Sequence, residues 1–134
     1  PFYTNQLTPP YTSLELRHQL EIEARCQKLF SGGVVKHVYV DRELDPETVA
    51  RFVIRTMSGS DIVYLSITPT ITTCPRCGYR AVGRVERCPR CGSETDLWSR
   101  VVGYYRPVRS WNTGRYAEFT MRRDWSEEIE KLAS

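Results

Sequence analysis

Four cysteines in two close pairs, Cys74-Pro75-Arg76-Cys77 and Cys88-Pro89-Arg90-Cys91, are the residues of this chain whose types and spacing most directly imply chemistry. The pattern is C-x2-C-x10-C-x2-C, and a glycine, Gly78 or Gly92, follows each pair. Each C-x-x-C turn lets two thiolates point at one ion, and the glycine permits backbone N–H groups to turn toward the sulfurs. Four thiolates in a tetrahedral array suit Zn2+, with iron in a rubredoxin-like centre as the second choice. Four protein ligands leave no open position, so the metal is expected to be structural. Disulfides or free thiols are the alternative for Cys74, Cys77, Cys88 and Cys91. The close pairing favours metal, and the absence of a secretory segment in the chain favours a reducing, cytoplasmic setting. Cys26 stands apart on a predicted helix face, where a small buried core residue is the expected role.

Just behind this segment runs Arg100-Val101-Val102-Gly103-Tyr104-Tyr105-Arg106-Pro107-Val108. A lone glycine in an apolar, β-prone run ordinarily marks a bulge, a tight bend or a close backbone approach. Val102 and Tyr104 give Gly103 an apolar wrapping that would shield its backbone from solvent. Packing is the expected role of Tyr104 and Tyr105. His37 in a strand and His18 on a helix read as hydrogen-bonded structural histidines rather than ligands or bases.

The elements that must position these groups come from local signals. Thr12-Ser13-Leu14-Glu15 has the form of a capping box, a hydroxyl followed three residues on by a carboxylate. Leu16, Leu20 and Ala24 then recur at helical spacing, with Cys26 and Phe30 as candidate further positions, and Gly32-Gly33 is the expected stop. The β-branched run from Val34 to Val40 predicts a strand. Asp45-Pro46-Glu47 opens a second helix with an N-cap acid and proline at its first position. Val49, Phe52, Val53 and Met57 form its apolar face, and Gly59 its end. Ile62–Ile67 predicts the next strand. Strand, helix, strand at this spacing is a βαβ unit with parallel neighbouring strands, which need cover on both faces. Two strands and two helices cannot close such a sheet, so the first half reads as a piece of a larger α/β sheet or barrel. Trp98 to Val108 is strand or extended loop, and Asp124-Trp125-Ser126-Glu127-Glu128 caps a short last helix ending near Leu132.

The chain has 134 residues, enough for one modest domain, with a net charge of +3 that is unevenly spread. Residues 1–73 carry seven Lys/Arg and eight Asp/Glu, giving −1, and residues 74–134 carry twelve and eight, giving +4. Eleven of those twelve cations are arginine, which suits bidentate contacts to carboxylate or phosphate. Arg76, Arg80, Arg84, Arg87 and Arg90 would let the metal segment act as a zinc-ribbon nucleic-acid-binding module, the alternative function. Aromatic residues for base stacking are sparse within the ribbon, where Tyr79 stands out. No stretch approaches the ~20 apolar residues of a membrane helix.

The two knuckles followed by Gly103, then Trp111-Asn112-x-Gly114 and Glu118-Phe119, resemble the C-terminal end of class III anaerobic ribonucleoside-triphosphate reductases. Pro1-Phe2-Tyr3-Thr4-Asn5, Gly32-Gly33-Val34 and Ser66-Ile67-Thr68-Pro69-Thr70 extend the likeness in the same order, over essentially the whole chain. The resemblance implies an α/β fold made of the last βαβ elements of a ten-stranded glycyl-radical-enzyme barrel (residues 1–70), a four-Cys zinc ribbon (71–97), and a C-terminal glycyl-radical loop with its helix (98–134). It implies that Gly103 is the radical site. Loss of one Cα hydrogen leaves a planar carbon whose spin the flanking amide nitrogen and carbonyl delocalise, and a side chain would hinder that planarity.

It further implies an activating partner of the radical S-adenosylmethionine type with a [4Fe-4S] cluster. The glycyl radical then oxidises a cysteine on a facing loop, and the thiyl radical takes the ribose 3′ hydrogen of a ribonucleotide, with formate or a thiol system as reductant. The complete enzyme is expected to be a cytoplasmic homodimer. This chain has no candidate for the facing-loop cysteine, so it resembles the radical-bearing portion, is expected to be inactive alone, and depends on the remaining barrel or subunit. A freestanding spare-part glycyl-radical subunit, like those resembling the end of pyruvate formate-lyase, is a further alternative.

Overall fold

The computed structural model describes residues 6–9, 12–101 and 103–134. The opening motif Pro1–Asn5 and Val102 lie outside the described residues.

Helix α1 spans Leu16–Gln27. Its apolar face is the expected one, with Leu16, Leu20 and Ala24 buried. The capping box is not made: Glu15 is the N-cap and no side chain caps the helix locally. The free Leu16 N–H instead donates to the Glu128 carboxylate, 2.8 Å away and 112 residues along the chain. An orphan N–H needs only an acceptor, and tertiary packing supplies one with a full charge. The helix also stops short of Gly32-Gly33. Leu29 and Phe30 N–H groups bond the Cys26 and Gln27 carbonyls at 3.0 Å, tightening the last turn, and Phe30 is half exposed. Gly33, at φ +74°, turns the chain toward β1. Cys26 is half-buried rather than a core residue.

Strand β1 (Lys36–Val40), helix α2 (Pro46–Ser58) and strand β2 (Leu65–Pro69) form the expected βαβ unit. The two strands are parallel, registered from Lys36 opposite Leu65 to Val40 opposite Pro69. Asp45 caps α2 by accepting from the Thr48 N–H at 3.1 Å, and Gly59 ends it. Of the expected apolar face Phe52 is fully buried, whereas Met57 is exposed. Strand β2 begins three residues later than Ile62 because the Gln27 side-chain oxygen takes the Val63 and Tyr64 N–H groups at 2.8 and 3.1 Å.

A polar stripe missed by the apolar pattern explains this. Gln19, Glu23 and Gln27, each four residues apart on α1, are fully buried. Lys36 Nζ donates to Gln19 Oε1 and Thr8 Oγ1, both at 2.8 Å, and Glu23 accepts from the Thr8 N–H and hydroxyl. Gln27 bridges Glu23 to the Tyr64 carbonyl. Burial pulls the Lys36 ammonium down to about 8, while the nearby Glu23 carboxylate resists the shift.

Strand β2 runs directly through Thr70 into β3 (Ile71–Thr73), which begins a four-stranded antiparallel sheet. Its order is β4 (Arg80–Val82), β3, β5 (Asp96–Arg100), β6 (Tyr105–Pro107). The ribbon strands and the strands around Gly103 therefore share one sheet. Helix α3 (Thr113–Met121) was not anticipated; Asn112 is its cap, accepting from the Arg115 N–H at 2.9 Å. Helix α4 (Ser126–Ala133) ends the chain. Helices α1, α2 and α4 cover one face of the β1–β2 pair, where Leu16, Val38, Val40, Phe52, Trp125 and Ile129 make the main core. The opposite face carries His37 and Tyr39, which meet the β5–β6 hairpin and α3. No described helix is long and apolar enough to cross a membrane.

Trp125 is 2 % exposed in this core, and its backbone N–H donates to the Tyr39 carbonyl at 3.0 Å. Trp125→Ala is expected to destabilise the chain by about 3–5 kcal/mol in urea unfolding; a loss under about 1 kcal/mol would mean α4 is not part of the cooperative core.

Candidate metal centre and glycine hairpin

The four cysteines come from two turns of the same construction. In the first, the Cys74 N–H donates to the Tyr79 carbonyl at 2.8 Å and the Gly78 N–H to the Cys74 carbonyl at 3.0 Å. In the second, Cys88 donates to Ser93 and Gly92 to Cys88, both at 2.8 Å. Gly78 and Gly92 take φ of +77° and +74°, which allows each turn to fold its N–H groups inward at no steric cost. The Arg90 N–H faces Cys88 Sγ at 3.4 Å.

The four Sγ atoms lie within 4.8 Å of one another, with Cys74–Cys91 and Cys77–Cys88 each at 3.5 Å. A tetrahedron with Zn–S bonds of ~2.3 Å has sulfur–sulfur edges of about 3.8 Å, so the set fits one zinc ion. Cys74 and Cys88 are buried, Cys77 and Cys91 half-buried. The Ser93 hydroxyl and N–H hold the Cys91 thiol down to about 6. At Cys77 the lowering contact from Tyr79 is outweighed by burial and the neighbouring thiols, which push it up to about 11. A cation among the sulfurs removes that conflict by favouring thiolate at all four. Four of the five ribbon arginines have partners within the chain, and Arg80 is exposed. Arg84 pairs with Asp41 at 2.9 Å and lies over Phe119, Arg90 over Tyr79, and Arg76 and Arg87 reach Ser93 and the Gly92 carbonyl.

Gly103 sits at the tip of the β5–β6 hairpin, closed by the Val101 N–H donating to the Tyr104 carbonyl at 3.1 Å. The expected apolar shield is not provided by the described residues: Gly103 is exposed and Tyr104 is 57 % exposed. An added Cβ at Gly103 would meet nothing within 4 Å, and its φ is not in the left-handed region. Neither space nor backbone conformation therefore asks for glycine there, unlike Gly83, where a Cβ would meet the Asp41 carbonyl at 2.4 Å. Tyr105 packs inward, its hydroxyl donating to the Pro69 carbonyl at 3.1 Å.

The hairpin base rests on a charge pair that the sequence reading assigned no role. Arg122 binds Glu118 through two contacts of 2.7 Å, with the side chains 3 % and 2 % exposed. Arg122 also donates to Ser99 Oγ at 3.0 Å and to the Arg100 carbonyl at 3.1 Å. Its guanidinium lies 4.1 Å from the Tyr39 ring centre and 5.3 Å from that of Trp111. The Glu118-x-x-x-Arg122 spacing was the available signal. Trp111 and Phe119, from the same motif, meet edge to face at 5.5 Å. Between hairpin, β1 and α3 lies a cavity of about 210 Å3 lined by His37, Tyr39, Arg100, Arg115, Glu118 and Arg122, among others. His37 approaches Thr68 Oγ1 at 3.2 Å, in line with the structural role expected of it. Burial and then the charges of Arg100, Arg122 and Lys36 push it down to about 4. His18 is exposed beside Glu15.

This is an α/β protein carrying a tetrathiolate ribbon and an arginine-braced glycine hairpin. The family described as anaerobic ribonucleoside-triphosphate reductase matches residues 1–125, and the chain belongs to that family. None of the curated proteins compared matches it. Among solved structures, an anaerobic ribonucleotide reductase superposes with a TM-score of 0.74 at 24 % identity, over 92 % of this chain and 20 % of that one. The Thermotoga maritima anaerobic ribonucleotide reductase with MES in the active site gives a TM-score of 0.65 at 24 % identity, over 82 % and 18 %. The same enzyme with glycerol in the active site gives 0.63 at 22 %, over 96 % and 19 %. At these identities the likeness concerns the fold, and the chain spans about one fifth of the length of each.

Two outcomes are expected. Zinc content by plasma mass spectrometry should approach one per chain, and Cys88→Ala should abolish it and release the ribbon turns to fast amide exchange. On acidification, His37 must charge in a site that opposes it. Its folded value lies below the ordinary 6.5, so its contribution to stability is complete above about 6.5 and is lost as pH falls toward 4. His37→Gln should therefore lower Tm at pH 7 but lose less on going from pH 7 to 4.5 than the wild type does.

Proposed function

We propose that this chain is the radical-bearing part of an anaerobic ribonucleotide reductase, with Gly103 as the glycyl-radical site. The observation that carries the reading is the setting of Gly103. In a chain of this family, a glycine stands at an exposed hairpin tip where neither φ nor space requires one. Its two Cα hydrogens are then the property that distinguishes it from alanine. The tetrathiolate ribbon, Cys74, Cys77, Cys88 and Cys91, is a structural zinc site that stiffens the sheet from which the hairpin projects. A bound ion would fix the ends of β3 and β4, and β3 is the neighbour of β5.

The β1–β2 pair, with one face covered by helices and the other carrying His37 and Tyr39, suits the end of the family's ten-stranded barrel. The remaining barrel then covers Gly103, supplying the shield that the described residues lack. The division into barrel end (1–70), ribbon (71–97) and radical loop with its helix (98–134) follows from this. A radical S-adenosylmethionine activase with a [4Fe-4S] cluster supplies the radical that removes one hydrogen atom from Gly103 Cα. Spin remains on the glycine, and the carbon becomes planar between its amide nitrogen and carbonyl. The glycyl radical recovers a hydrogen atom from a cysteine thiol of the barrel, leaving a thiyl radical that acts on the ribose 3′ hydrogen of a ribonucleotide. The complete enzyme works in the cytoplasm as a homodimer, and this chain alone turns over no ribonucleotide.

The test is anaerobic electron paramagnetic resonance after incubation with activase and the remaining barrel portion. Wild type should show a glycyl doublet and, on exposure to oxygen, cleavage at residue 103; Gly103→Ala should show neither while keeping its zinc. A doublet of equal intensity in Gly103→Ala would place the radical elsewhere and end this reading.

A further inference from the structure

We propose that Arg100 is the positioning residue of the glycine hairpin, its guanidinium holding and polarising the Gly103 carbonyl. The proposal rests on the reading of Gly103 as the radical site. Arg100 is the last residue of β5, opposite Tyr105 in the hairpin ladder. Its Nη1 donates to the Gly103 carbonyl oxygen at 3.3 Å, and its guanidinium carbon lies 5.4 Å from the Tyr105 ring centre. Tyr105 is in turn tied to the Pro69 carbonyl. The Arg100 backbone is fixed from below, since its carbonyl accepts from the buried Arg122. One guanidinium thus spans from the rigid strand end to the exposed tip, with its Nε buried and unpartnered in the cavity wall.

A glycine tip is the least constrained backbone in a chain, because no Cβ restricts φ and ψ. Hydrogen-atom removal needs the opposite, a peptide unit held in one plane. A charged donor on the carbonyl oxygen supplies both requirements. It orients the Gly103–Tyr104 peptide plane, and it draws electron density toward the oxygen, so the spin on Cα spreads more completely between the amide nitrogen and the carbonyl. Charge-assisted hydrogen bonds are stronger than neutral ones. In the step itself the Cα–H bond breaks homolytically and the hydrogen atom leaves with one electron for the carbon radical generated by the activase. The second electron of the bond remains on Gly103 Cα. The proton and its electron leave together as a neutral hydrogen atom and no charge changes, so an arginine that stays protonated throughout suits the position where a titrating group would not.

Arg100→Met and Arg100→Lys are compared with wild type, each with activase and the remaining barrel portion, by the initial rate of doublet formation and by the doublet's splitting. Arg100→Met should form the radical about tenfold more slowly, the equivalent of about 1.4 kcal/mol, with an altered splitting, and Arg100→Lys should recover most of the rate. Equal rate and splitting in the Met variant overturn the proposal. A second measurement needs no substitution: in the unactivated wild-type chain, nuclear Overhauser contacts from the Arg100 guanidinium protons to Gly103 are expected. Their absence overturns the proposal however the variants fold. Absence of any doublet in wild type, with those contacts present, would instead sink the radical reading and leave the clamp standing.

Discussion

The buried pair between Arg122 and Glu118 is the interaction on which the described structure most depends. Removing two charges from water is expensive, and it is offset only when geometry and further hydrogen bonds are nearly complete. Here Glu118 receives two donors at 2.7 Å, Ser99 and the Arg100 carbonyl take further donors of Arg122, and the faces of Tyr39 and Trp111 lie against the guanidinium. These partners come from β1, β5 and the turn before α3, so the pair joins the parallel strands to the antiparallel sheet. A single unmatched partner would leave a buried charge without its compensating contacts. That stringency makes the arrangement specific: the hairpin base has one position relative to β1.

The metal centre imposes a second constraint on the same sheet. Strands β3 and β4 are only three residues each, too short to hold a register by pairing alone. An ion held by the four cysteines beyond their ends would supply the missing restraint, and the Arg84–Asp41 pair and the close approach of Gly83 to Asp41 bind the ribbon to the end of β1. Because β2 continues into β3 through Thr70, stiffness at the ribbon is transmitted along covalent chain as well as across the sheet. The hairpin tip therefore projects from a framework braced on two sides, by the four-cysteine turns and by the Arg122 pair. The proposed chemistry would take place at the tip that this framework presents.

Much of the architecture and the metal centre could be read along the chain, since those features depend on neighbours within a few residues. Asp45-Pro46 opened α2 and Gly59 closed it because N-caps, N1 prolines and terminal glycines act on the turn in which they sit. The cysteine spacing led directly to the cluster, because a C-x-x-C turn brings its own two sulfurs together and only one ion could satisfy both turns. The cap of α1 and the start of β2 were misread. At each of these a partner far away in sequence replaced the local one: Glu128 for the capping box and Gln27 for the first β2 bonds.

The sequence by itself thus determined the βαβ unit, the cluster of four cysteines and the family, all set by local geometry or by residue order. Only the tertiary structure decided that Gln19, Glu23 and Gln27 would be buried with Lys36, that Glu118 would find Arg122 under Tyr39, and that Arg100 would reach the Gly103 carbonyl. Polar groups have no preferred side of a helix until their partners are in place. Their burial follows from the completed set of hydrogen bonds, which exists only once the chain has folded.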